Sequence, residues 1–122
     1  MFISALDELC AANTEVSAVV SDGVGLRVGE FDASNTEGTP YVCWQIINAD
    51  TEQYLSGASD MDSLYVQIDI YAKTKGDART IAKLVRKVIE DYCTVEGFTG
   101  CELEQETALY RIRIDSRWLE EP

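Results

Sequence analysis

The sequence contains no histidine. Its absence removes the side chain whose ordinary pKa lies nearest neutrality, and with it the usual Ser/His and Cys/His nucleophile pairs. Proline occurs only at positions 40 and 122, and no repeat or low-complexity tract divides the 122 residues, so one domain over 1–122 is expected. A chain of this length buries roughly two-thirds of its unfolded surface, enough for a core without staples. Cations are scarce: Lys plus Arg total 10 against 22 Asp plus Glu, a formal charge of −12. Direct nucleic-acid binding is therefore disfavoured, because it needs clustered cations to displace phosphate counterions. No run approaches the ~20 apolar residues that span a bilayer, and the opening Met1-Phe-Ile-Ser-Ala-Leu-Asp-Glu-Leu-Cys10 lacks the positive start of a secretory signal. A soluble cytosolic protein without a membrane partner is the expectation.

The residues present offer little chemistry. Cys10, Cys43, Cys93 and Cys101 show no CxxC spacing, and with no histidine beside them they read as reduced, buried structural thiols, with no metal expected. Asp60 with Asp62 and Glu102 with Glu104 are carboxylate pairs of a kind that could share acid and base roles, yet such pairs arise readily in so acidic a chain. Asp50, Glu52, Asp60 and Asp62 crowd one stretch but lack the ligand spacing of an EF-hand. Gly23-Val-Gly25 lacks the third glycine of a phosphate cradle and reads as a turn. Trp44, Tyr65, Tyr71 and Tyr110 could stack bases, but the acidic surroundings favour core packing or a subunit interface. No catalytic residue, cofactor or enzymatic activity is expected.

The folding signals are clearer. Leu64, Val66, Ile68, Ile70 and Ala72 alternate with Tyr65, Gln67, Asp69 and Tyr71, the pattern of a half-buried strand. After Lys73-Thr-Lys-Gly76 the period changes: Ala78, Ile81, Ala82, Val85, Val88, Ile89 and Tyr92 form one stripe of a helix, while Arg79, Lys83, Arg86, Lys87 and Glu90 face outward. Pro40-Tyr-Val-Cys-Trp-Gln-Ile-Ile-Asn48 reads as another strand of the same sheet. Leu26 to Phe31 reads as a short strand, and Phe2, Ile3, Leu6, Leu9 and Cys10 predict a helix from Met1 to Ala12. The residues from Ala49 to Asp62 form a long connector, and the residues from Asp32 to Thr39 an exposed loop. Near the C-terminus a hairpin turning near Thr107-Ala108, through two residues or, since Thr-Ala suits a two-residue turn poorly, through a four-residue loop, is expected to pair Glu104 with Arg111, Glu102 with Arg113 and Leu103 with Ile112. The fold class expected is α+β: a mainly antiparallel sheet of about four to five strands with two helices packed on one face.

Pro40-Tyr-Val, the loop Tyr54-Leu-Ser-Gly57 and Tyr65-Val-Gln-Ile-Asp-Ile-Tyr-Ala72, followed by a helix carrying Ala78 and Ala82, together resemble the tail-completion or tail-terminator proteins of long-tailed bacteriophages. These motifs cover less than half the chain, with element order extending the likeness to the rest. The resemblance implies a small structural virion protein that caps the tail tube, terminates its growth and joins tail to head as a homomeric, hexameric ring. The implied partners are further copies of the chain, the major tail tube protein and the head-tail connector protein. The implied place is the head-proximal end of the virion tail, after assembly in the host cytoplasm. DNA would pass through the lumen without specific binding, and an acidic lumen would repel its phosphates. Two alternatives stand beside it: a head-closure or connector-completion protein of the same particle, and a small binding or enzyme domain unrelated to phage, which requires a concave pocket with convergent polar groups.

In such a ring the candidate interface residues are Tyr54, Leu55 and Met61 of the long connector, aromatic and soft apolar anchors, and Lys73, Lys75 and Arg86 of the basic patch. Turned inward, the first three would pin the loop to its own domain. The basic patch could meet an acidic face of the next subunit or remain a solvated helix face.

Overall fold

A computed structural model describes residues 9–10, 13, 28–30, 40–53, 59–105 and 108–120. Its elements in chain order are β1 (Val28–Glu30), β2 (Tyr41–Gln53), β3 (Ser59–Ala72), α1 (Lys75–Ile89), β4 (Thr94–Phe98), β5 (Glu102–Glu104) and β6 (Leu109–Glu120). The strands form one sheet in the order β1-β2-β3-β6-β4, with β5 also hydrogen-bonded to β6. β1 runs parallel to β2, and every other pairing is antiparallel.

The alternation in β3 decides the layering. Leu64, Val66, Ile68, Ile70 and Ala72 are all buried on one face of the sheet, joined there by Val42 and Trp44 from β2 and by Ile112, Ile114 and Trp118 from β6. α1 lies over β3 and β6 and closes this layer with Ala78, Ile81, Ala82, Val85 and Ile89. Small residues at 78 and 82 let the helix approach the sheet closely. Thr74 caps it, its Oγ1 accepting from the Asp77 amide at 3.1 Å, and Arg86 and Lys87 in the last turn face the negative end of the dipole. The polar groups inside this core are paired: the Ser116 hydroxyl donates to the Val66 carbonyl at 2.9 Å and accepts from the Trp118 indole at 3.0 Å.

Four expectations need correction. Among the described residues one full helix packs on six strands, where two helices on four to five strands were expected. Of the helix expected from Met1 to Ala12, only Leu9 and Cys10 are described. Both are helical, and Cys10 is fully buried in the core. The extra strand is β4, which pairs with β6 from Thr94↔Arg117 to Phe98↔Ile114. Tyr92, placed on the helical stripe from sequence, stands exposed beyond the helix end.

The second correction concerns the long connector. Its residues continue the ladder, with Ala49 opposite Leu64, Thr51 opposite Asp62 and Glu52 opposite Met61. A bulge at Ile47 lets β2 carry on past the edge of the core. The third concerns the C-terminal hairpin, whose register is two residues from that expected: Glu102 opposes Arg111, Leu103 opposes Tyr110 and Glu104 opposes Leu109. Between Glu104 and Leu109 the Ala108 amide donates to the Glu104 carbonyl at 2.9 Å, and Ala108 takes the left-handed conformation with φ 57. The last concerns the thiols: Cys10 is buried, whereas Cys43, Cys93 and Cys101 are only half-buried, and none is disulfide-linked.

Candidate functional site

On the sheet face away from α1, the side chains of β3 and β6 form a polar and aromatic layer. Asp69 is buried there, accepting from Arg111 Nε at 2.9 Å and from the Gln67 amide at 3.1 Å. The ring of Tyr71 stacks on Tyr41, directly opposite in the ladder, with centroids 4.9 Å apart. Burial lifts the Tyr71 phenol well above its ordinary range, with Arg111 pulling the other way. Burial also lowers the Arg111 guanidinium, but the hydrogen bond and charge of Asp69 reverse this and leave it raised. Tyr71 therefore stays neutral and Arg111 charged across the physiological range. These two side chains act as fixed structure and offer no proton transfer near neutrality. Nearby, Arg113 Nε is buried 3.6 Å from an Asp115 oxygen, long for a hydrogen bond.

The far edge of the sheet is built differently. β4 and β5 lie along the same side of β6 and act as one interrupted edge strand, tied between them by Thr99, whose amide donates to the Arg113 carbonyl and whose Oγ1 accepts from the Arg113 amide, both at 2.9 Å. Its outer backbone is unpaired among the described residues, and a register shift between Val95 and Gly97 together with Glu96, Glu102 and Glu104 blunts it. On the helix side of this edge two large apolar residues remain open, Phe98 at 46% and Leu103 at 49% exposure. The flank of α1 leans over them: Arg86 sits 4.9 Å above the Phe98 ring and Lys75 Nζ 5.8 Å above the Tyr110 ring.

Of the residues proposed from sequence, Lys75 and Arg86 thus lie on one flank of α1 against aromatic rings, and Lys73 is exposed just before the helix. Met61 lies in β3 opposite Glu52, near the other end of the sheet, so the structure does not bring it to the basic patch. Tyr54 and Leu55 lie outside the described residues. The reading of the sequence missed Phe98, Leu103 and the bulge at Ile47. The alternation of Thr94-Val-Glu-Gly-Phe98 was the available signal for the first of these. A depression of about 310 Å³ runs between Leu9 and Asn13 on one side and Leu84, Lys87, Val88 and Tyr92 on the other.

Cys93, half-buried just before β4, gives a direct check on this edge. Burial pushes its thiol from the ordinary 9.0 up to about 11. The group is then neutral in the fold at pH values where the unfolded chain already ionises it, so it favours the fold below pH 9, and that contribution is lost as pH rises toward 11. At pH 8 the thiolate fraction falls by about 100-fold, and iodoacetamide should label Cys93 slower by that order in the native protein than in urea, read by mass spectrometry of the peptide. Equal rates would mean that the segment after α1 is open.

Comparison with known proteins places these surfaces in context. A search of curated proteins finds no match. Among solved structures, a chain in the "Virion of native gene transfer agent (GTA) particle" superposes with a TM-score of 0.67 at 14% identity, over 96% of this chain and 92% of that one. At that identity the likeness establishes the fold. The sequence profile of the family described as tail completion protein gp17 matches residues 4–121. The match spans nearly the whole chain, and the protein therefore belongs to the tail completion protein gp17 family, a structural family of the phage virion tail.

Proposed function

We propose that the chain acts as a single domain that caps the tail tube at its head-proximal end, ends tube polymerisation and joins the tail to the head as a homomeric ring of six subunits. Family membership over residues 4–121 is the observation that carries this reading. The fold is consistent with it: two strand edges and two faces of unlike chemistry offer contact surface to neighbours on several sides. Its partners are then the major tail tube protein below and the head-tail connector above, and the action is surface complementarity without turnover. The net charge of −12 suits a passage through which DNA slides without being held.

Silencing the gene in its own phage and scoring particles by electron microscopy tests the reading. Overlong tails detached from filled heads are expected. Normal tails beside leaky heads would move the protein to head completion, and normal infectious particles would overturn both roles.

A further inference from the structure

We infer that the β4–β5 edge of the sheet is self-complementary, and that two free copies of the chain bind edge to edge about a two-fold axis running parallel to the strands. A two-fold contact is not the repeating contact of a six-membered ring, so this goes beyond the ring reading and does not depend on it.

The helix side of this edge is cationic. The stretch from Lys73 to Lys87 contains six of the ten cations and a single acid, Asp77. Lys75, Arg79 and Lys83 follow one another at i, i+4, a like-charge spacing that works against the helix, and none of them forms an ion pair among the described residues. Such a stripe is favourable only against a partner of opposite sign. On a 3.6-residue helix Lys75, Arg79 and Arg86 fall within about 40° of one another. The contacts of Lys75 with the Tyr110 ring and of Arg86 with the Phe98 ring fix that arc over the edge, beside the open side chains of Phe98 and Leu103.

The other side of the same edge is acidic. Glu102 opposes Arg111, which opposes Tyr71 on the face away from α1, so Glu102 and, two residues on, Glu104 point to that face. Glu102 is exposed and Glu104 half-buried, while Arg111, the cation opposite Glu102, is already bonded to Asp69. A second copy supplies the cations that these carboxylates lack, and the carboxylates that the helix flank lacks.

The edge can meet its own copy about two axes. An axis normal to the sheet sets helix flank beside helix flank, cation on cation. An axis parallel to the strands turns one copy over, so that each cationic flank meets the partner's acidic side and both contacts form at once. It also keeps every residue at its own level along the strands. Lys75 stands over Tyr110, which opposes Leu103, and so it comes level with Glu102 and Glu104 of the second copy, with Arg79 one turn away. Phe98 and Leu103, next to the line where the edges meet, lose their exposure there.

Sedimentation equilibrium of the purified full chain tests this, in about 0.15 M salt so that the net charge of each copy is screened beyond about 8 Å. A monomer–dimer equilibrium with nothing larger is expected. Lys75→Glu with Arg79→Glu should weaken the dimer at least about tenfold, and Glu102→Lys with Glu104→Lys likewise, since the symmetry counts each change twice. Mixed in equal amounts the two variants should dimerise again, which also shows that both are folded. Monomer throughout, up to about 1 mM, overturns the contact. So do assemblies that grow past the dimer, undiminished dimerisation of either variant, or a mixture that stays monomeric. A monomeric chain would leave the ring reading standing, because the silenced phage judges that reading separately.

Discussion

Replacing Ile114 by Ala is expected to destabilise the protein by about 3–4 kcal/mol, the largest effect of any single truncation considered. Ile114 is fully buried and stands where three elements meet: it opposes Ile68 of β3 on one side and Phe98 of β4 on the other, beneath α1. Removing its outer carbons loses their transfer from water and leaves a cavity that β-sheet backbone cannot collapse into, since ladder hydrogen bonds hold it on both sides. Against a total stability on the order of 5–15 kcal/mol this is a large share. Urea unfolding should show a lower midpoint with an unchanged slope, and Ile114→Val should cost only about 1 kcal/mol. A loss below about 1 kcal/mol for the alanine variant would mean that α1 is not seated on this part of the sheet.

Arg111→Met should cost about 2–3 kcal/mol, because it strands a carboxylate. Asp69 has its side chain 12% exposed and Arg111 30%, so the pair is partly screened, and the figure sits below that for a fully enclosed ion pair. With the guanidinium gone, Asp69 keeps only the Gln67 amide, and Tyr71 loses the cation at its side. The double variant Asp69→Asn with Arg111→Met, which removes the charge along with its partner, should regain at least half of the loss. If both unfold at the same denaturant concentration, the interaction is a surface pair of no consequence.

That ion pair also shows where the sequence stopped being readable. The core face of β3, from Leu64 to Ala72, and the stripe of α1 from Ala78 to Ile89 were legible because each is a local period, set by one element and buried as a unit. Asp69 and Arg111 lie 42 residues apart in strands that are not consecutive, and nothing local announces that β6 inserts beside β3. The C-terminal arginines were assigned to Glu102 and Glu104 through a symmetric turn at Thr107-Ala108. The turn instead rests on Ala108 in the left-handed region, a conformation that alanine does not advertise, and Thr99 binding Arg113 sets the register from the other side. β4 went unread because an edge strand buries only half of one face, so Thr94 to Phe98 carries a weak pattern. The basic flank was legible as residues, yet the aromatic rings beneath Lys75 and Arg86 come from β6 and β4 and were not.

The single extra residue at Ile47 acts on the hairpin as a phase shift acts on a wave. Before it, Val42, Trp44 and Ile46 point to the α1 side of the sheet; after it, Ala49 shares a rung with the core-facing Leu64, so parity in β2 is reversed from there on. The projecting end therefore has a numbering frame of its own, independent of the core's. Chain can be added to or taken from that end in whole cross-strand pairs, an even number of residues in each strand, without disturbing which side meets a neighbour. One residue more or fewer, anywhere but at the bulge, would turn the end inside out while leaving the core beneath it intact.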